Sequence, residues 1–167
     1  PAAWVSRRPE NGAWGVDLDA PTLAWARKHR VSRMRERANR LTLLRADVRS
    51  VVRPQVDVVA AYNYSFFVFK HRPDLIDYFR AARRSLPRGG LFFTTAFAGT
   101  GAMGTLTETT RIAASNSVDG ERTPPFTYVW EQKRFNALDH DILCHIHFRL
   151  KGGRWMRRAF TYDWRLW

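Results

Sequence analysis

Two apolar runs that each end on an acid constrain this chain more than any other feature. "AWGVDL" (13–18) carries Asp17 near its end, and "RLTLLRAD" (40–47) ends on Asp47. Between them "DAPTLAWARKH" reads as a helix. Asp19 is placed to cap it, Pro21 suits its first turn, and Leu23 and Ala26 recur at helical spacing. Strand, helix, strand is the order of a parallel crossover, because parallel strands need a long return connection. Gly15 in the first strand allows a neighbour to approach closely. The apolar periodicity fades over 31–38, so the helix is expected to end there. "PAAWVSRR" (1–8) reads as the tail of an earlier helix, and "ENG" (10–12) as a turn.

The pattern continues. "QVDVVAAYN" (55–63) is an almost continuous apolar run, expected to be a strand covered on both faces. "RPDLIDYFRAARRSL" (72–86) carries a helical stripe of Leu75, Ile76, Phe79, Ala82 and Leu86. "PRGG" stops it, and "LFFTTAF" (91–97) is a further buried-type strand. The fold class expected is therefore α/β, with a Rossmann-like parallel sheet over 1–98. The segment 99–125 is rich in Gly, Thr and Ser and is expected to be a flexible connection, partly helical around 105–114. Over 126–167, "FTYVWEQKRFN", "DILCHIHFRL" and "RRAFTYDWRLW" are aromatic runs with short links, the pattern of an antiparallel β meander.

The net charge of +13 invites a nucleic-acid reading, but its make-up argues against one. There are 24 Arg against 4 Lys, spread along the whole chain. Even the densest run, Arg27 to Arg49, reads as a solvated helix face followed by a strand. The single cysteine, Cys144, excludes an intrachain disulfide and fits a reducing cytoplasm. No signal peptide and no membrane span is expected.

The candidate binding residues stand at strand ends, where open α/β sheets take ligands. The Asp17 carboxylate can accept both hydroxyl protons of a ribose. Asp47 and Val48, in "RADV", are placed to meet an adenine. Asn63 follows the third strand inside an aromatic cluster of Tyr62, Tyr64, Phe66 and Phe67. Its amide can serve a zwitterion, and ring faces attract a sulfonium. "GTGAMG" (99–104) matches G-x-G-x-x-G after a strand, but no acid-ended strand follows it, since Asp119 lies in a polar stretch. These glycines read as flexible connection. His145 and His147 share one face of a strand, without a third ligand nearby in the sequence, so no metal is expected. Glu131 is a candidate general base if it faces a pocket. Glu131, His145 and His147 are the weak catalytic candidates.

"GVDLDAPTLAWARKH", "LLRADVRSV" and "VDVVAAYNYSFFVFKHRPDLIDYFRAARRSLPRGGLFFTTAF" together resemble the run from the second to the fifth strand of class I S-adenosylmethionine-dependent methyltransferases. "LPRGGLFF" is similar to that family's turn into its fifth strand. "YVWEQKRFN", "CHIHFRL" and "FTYDWRLW" resemble the antiparallel lid of its small-molecule subgroup. The resemblance implies S-adenosylmethionine as cofactor, with Asp17 on the ribose, Leu18 beside the adenine, and Asp47 and Val48 holding the adenine. It places Asn63 at the methionine end, with Tyr62, Tyr64, Phe66, Tyr128 and Trp130 near a small-molecule acceptor. It also implies that the family's first strand, glycine-rich loop and closing strands lie outside these residues. The chain is thus expected to be a fragment with feeble cofactor affinity and two strand edges short of a partner.

Other readings compete. A nicotinamide-dependent reductase also uses a strand-end acid, but needs a glycine loop and a catalytic pair that are missing here. A non-catalytic module is the alternative from another class. It would be a homodimer through the meander or a basic RNA-binding protein.

Overall fold

The computed structural model describes residues 1–116 and 122–167, so Asp119 lies outside the described residues. The chain forms two compact units. One comprises Pro1–Val59 with Ile76–Phe92, the other Ala60–Leu75 with Phe93–Trp167.

In the first unit, helix α1 (Ala2–Arg7) precedes β1 (Ala13–Asp17), α2 (Ala20–His29) and β2 (Leu41–Arg45). Asp19 caps α2 as expected, accepting a hydrogen bond from Thr22 N at 2.9 Å. The stretch Val31–Arg40 continues as 3-10 turns broken at Arg35, whose φ is 52°. β1 and β2 pair in parallel from Ala13↔Leu41 to Asp17↔Arg45. Gly15 eases the close approach there, because a Cβ would lie 2.8 Å from Leu43 Cδ2 and push that side-chain end aside.

The chain then forms β3 (Val58–Ala61), α3 (Arg72–Arg84) and β4 (Leu91–Thr94), which run from one unit into the other. Leu91 N donates to Asp57 O and Thr95 N to Ala61 O, so the bonds advance along both strands together, as in a parallel pair. The expected stripe holds in large part: Leu86 is buried and Leu75, Ile76 and Ala82 are half-buried, with Tyr78 and Ala81 buried beside them and Phe79 38% exposed. Tyr78, Phe79 and Phe92 meet edge to face, which draws the tyrosine inward.

The second unit holds the largest sheet, in the order β10-β9-β8-β5. Its strands are β5 (Leu106–Ile112), β8 (Phe126–Phe135), β9 (Asp141–Arg149) and β10 (Trp155–Arg165), and all are antiparallel. The expected meander is therefore present, with one more strand than the sequence suggested. The expected helix around 105–114 is overturned: "LTETTRI" is β5, paired with β8 from Leu106↔Gln132 to Ile112↔Phe126. Its threonines are β-branched and suit a pleated surface better than a helix. β6 (Ser115–Asn116) and β7 (Arg122–Thr123) form a small further pair.

The expectation of a parallel sheet also needs correction. Among the described residues the parallel strands form two separate pairs, β1-β2 and β3-β4, while the four-stranded sheet is antiparallel. β3 and β4 are not covered on both faces: Val58 is 41%, Leu91 55% and Phe93 50% exposed. An apolar run marks a strand able to be buried, and burial itself depends on covering elements. The antiparallel sheet is firmly packed, with Ile142, Cys144 and Trp164 at most 2% exposed.

Candidate functional site

The ends of β1 and β2 bring Asp17 and Asp47 to one edge. Ala46 N donates to Asp17 O at 3.1 Å, so the chain leaves both strands side by side. Asp17 Oδ1 accepts from Asp19 N at 2.9 Å, closing the turn into α2. Its Oδ2 has no hydrogen-bond partner among the described residues and is available to a hydroxyl. Asp47 is more occupied: Arg49 donates from Nε at 3.1 and 3.0 Å, from Nη2 at 2.7 Å and from its backbone N at 2.9 Å. Those hydrogen bonds hold the Asp47 carboxyl below the usual carboxylate range. Beside the two acids, Leu18 and Val48 are 65% and 38% exposed.

In the second unit, the turn that follows β3 carries Asn63 and Tyr64, with φ of 57° and 58°. Two successive non-glycine residues in the left-handed region are uncommon, and such strain concentrates at functional sites. Tyr64 N donates to Thr95 Oγ1 at 3.1 Å, tying this turn to the end of β4. The Tyr64 ring lies 5.9 Å from Phe97 and 5.9 Å from Trp164.

These contacts define an aromatic face on the antiparallel sheet. Phe97 meets Trp130 edge-on at 5.7 Å, and Trp130 lies 6.1 Å from Tyr162, which stacks on Trp164 at 4.4 Å. Tyr128 meets Phe148 at 6.1 Å on the same face. Tyr64, Phe97, Tyr128, Trp130 and Tyr162 are only half-buried, so their rings remain accessible. Burial pushes the Tyr128 and Tyr162 phenols up, so both stay protonated donors at neutral pH. Tyr62 is 60% exposed, whereas Phe66 is buried against Phe67 with centroids 4.3 Å apart.

The alternation of β8 and β9 puts Glu131, His145 and His147 on the opposite face from Tyr128 and Trp130. There they engage one another and nearby polar groups. Arg158 N donates to His147 Nδ1 at 2.9 Å, which fixes the ring as the Nε2–H tautomer donating to Glu131 Oε2 at 3.1 Å. His145 Nδ1 lies 3.0 Å from Thr161 Oγ1. The hydrogen bond from His147 holds the Glu131 carboxyl below its ordinary value, with Lys133 helping. Burial, with Arg158 nearby, lowers His145. Burial alone drives the Cys144 thiol up to about 12, which makes it inert. Among the described residues no group of three His, Cys, Asp or Glu could hold a metal ion.

The "GTGAMG" loop is less free than its composition suggests. Buried Gln132 donates from Nε2 to Gly101 O at 3.0 Å and to Gly104 O at 2.9 Å, while Trp130 Nε1 donates to Gln132 Oε1 at 3.2 Å. The sequence reading missed Thr95, Phe97, Tyr162 and Trp164. Strand alternation could have found Tyr162 and Trp164. No local signal marks Thr95 or Phe97.

Comparison with solved structures gives this geometry a frame. The CcbJ methyltransferase from Streptomyces caelestis superimposes with a TM-score of 0.67 at 18% identity, over 92% of this chain and 57% of that one. An S-adenosylmethionine-dependent methyltransferase from Clostridium acetobutylicum gives a TM-score of 0.64 at 18% identity, over 94% of this chain and 58% of that one. The chain therefore has the class I methyltransferase fold, and it spans less than three-fifths of the length of these two structures. No protein-family model matches the chain, and no curated protein matches it in sequence. Among the described residues no helix is long and apolar enough to cross a membrane.

Proposed function

We propose that this chain is part of an S-adenosylmethionine-dependent methyltransferase acting on a small molecule. The observation that carries the reading is the likeness in fold to two methyltransferases, together with two strand-end acids at one edge of β1-β2. The Clostridium structure is itself described as S-adenosylmethionine-dependent, which supports the same cofactor here. The residues present fit its adenosyl part in chemical kind. Asp17 offers a free carboxylate oxygen to a ribose hydroxyl, and Leu18 and Val48 offer apolar surface to an adenine. Asp47 would contribute through its turn, since its carboxylate is held by Arg49. When bound, the cofactor supplies an electrophilic methyl group on a sulfonium.

In this reading residues 1–98 are the Rossmann-like cofactor-binding portion, 99–125 the connection, and 126–167 the lid. Asn63 serves the methionine end, and the half-buried rings of Tyr64, Tyr128 and Trp130 orient the acceptor. Such positioning lowers the barrier by holding the reactants in an attack geometry. Tyr62 and Phe66 act at the edge of the acceptor site and beneath it. Glu131, His145 and His147 shape the lid from its far face.

Calorimetry with S-adenosylhomocysteine tests the proposal. Saturable binding weaker than micromolar is expected, and Asp17→Ala should reduce it by about tenfold or more, as loss of a charge-assisted hydrogen bond implies. Absence of saturable binding, or binding indifferent to Asp17→Ala, would sink the reading. The alternative of an assembly module rests on the exposed Val58, Leu91 and Phe93. Light scattering that gives a concentration-dependent oligomer without cofactor binding would favour it.

A further inference from the structure

The aromatic face differs in charge from the rest of the molecule. The chain carries 28 Lys and Arg against 15 Asp and Glu. Yet the register of β5, β8, β9 and β10 puts no Lys or Arg in the paired rows of that face. It puts one carboxylate there, Glu108, directly across the β5-β8 pair from Trp130. Thr110, the next residue of β5 on that face, pairs with Tyr128, so Glu108 also lies diagonal to the Tyr128 ring. The two are close enough for the Glu108 charge to add to the effects that hold the proton on Tyr128, after burial, Tyr162, Tyr64 and Cys144. Among the described residues Glu108 has neither an ion-pair nor a hydrogen-bond partner, and it is exposed.

A carboxylate without a counter-ion beside half-buried Tyr and Trp rings is chemistry for an organic cation. Ring faces attract a cation through their quadrupole, and the attraction strengthens as water is removed. The adjoining carboxylate adds Coulomb attraction and accepts an N–H hydrogen bond. Glu131 does not compete for this role. It lies on the other face and is taken by His147 and Lys133.

We propose that Glu108 is a specificity-determining residue which, with Tyr128 and Trp130, selects an ammonium-bearing small molecule. As the acceptor site this rests on the methyl-transfer reading, and as a cation site it stands on the register alone. Glu108 binds the charged nitrogen and orients it, and no covalent step is assigned to it.

The test is tryptophan fluorescence of the whole chain, titrated with 2-phenylethylammonium and with its neutral counterpart 2-phenylethanol. Preference for the ammonium by about fivefold is expected, the scale of one partly exposed ion pair with a cation–π contact. Glu108→Gln should abolish the preference and leave the circular dichroism unchanged, while Glu131→Gln should keep it. Equal binding of the two probes, binding of neither, or a preference that survives Glu108→Gln would overturn the proposal. Cofactor binding is measured separately. Ammonium preference without S-adenosylhomocysteine binding would break the methyl-transfer reading and keep the cation site. Cofactor binding without ammonium preference would do the reverse.

Discussion

The β1-β2 pair and the four-stranded antiparallel sheet are built from similarly apolar sequence and end in different states. In the pair, Trp14 stays 42% exposed and Gly15 and Val16 are only half-buried. In the sheet, Val129, Ile142, Cys144 and Ile146 are all below 9% exposed. The difference follows from connectivity. Short links let β8, β9 and β10 find each other locally and stack their rings on one face. Parallel strands joined by long crossovers rely on more distant elements for cover. Side-chain chemistry follows the same divide: carboxylates at strand ends in the first unit, aromatic rings across a sheet face in the second.

Removing a ring from the sheet tests this contrast most severely. Trp164 is 2% exposed and touches Tyr64, Phe67, Trp130 and Tyr162. Trp164→Ala should cost about 3–5 kcal/mol in urea unfolding. A cost below about 1 kcal/mol would mean that the rings are not a packed core. A gentler probe is Gly15→Ala in the parallel pair. The clash is with the flexible end of Leu43, so a loss of about 1 kcal/mol is expected. A loss as large as that of Trp164→Ala would erase the distinction between the regions.

The smallest effect expected is on acid stability, and it belongs to the sheet. His145 is lowered from 6.5 by burial and Arg158, and Glu131 from 4.5 by His147 and Lys133. For both, the unfolded chain binds protons more readily than the folded one. Their contribution is present above the unfolded values and is lost as pH falls through the folded ones. Urea midpoints should therefore drop below about pH 6.5 from His145 and again below about pH 4.5 from Glu131. His145→Gln should flatten the first drop and leave the second. Midpoints unchanged between pH 7 and pH 5 in the parent chain would contradict the assignment.

Much of this was readable in advance because it is local. The Asp19 cap, the tight approach at Gly15 and the three aromatic strands each depend on residues close together in the chain. β5 was misread because "LTETTRI" has little apolar signal of its own, and its state is set by pairing with β8. The α3 stripe was read without Tyr78, whose burial goes with a ring contact to Phe92 in a different element. The candidate base shows the limit best. Glu131 was a candidate base on condition that it faced a pocket, and which face a strand residue takes depends on register with its partners, here opposite to its neighbour Trp130.

The sequence by itself determined which segments alternate, where the caps and turns fall, and that acids stand at the ends of β1 and β2. Those outcomes depend on spacing along a few residues. Only the tertiary structure decided that Glu108 shares a face with Trp130, that His147 takes up Glu131, and that Tyr64 is held in a left-handed turn by Thr95. Each of those joins residues 16 to 31 positions apart through strand register or a long-range hydrogen bond. A shift of one residue in register would exchange the two faces of the sheet.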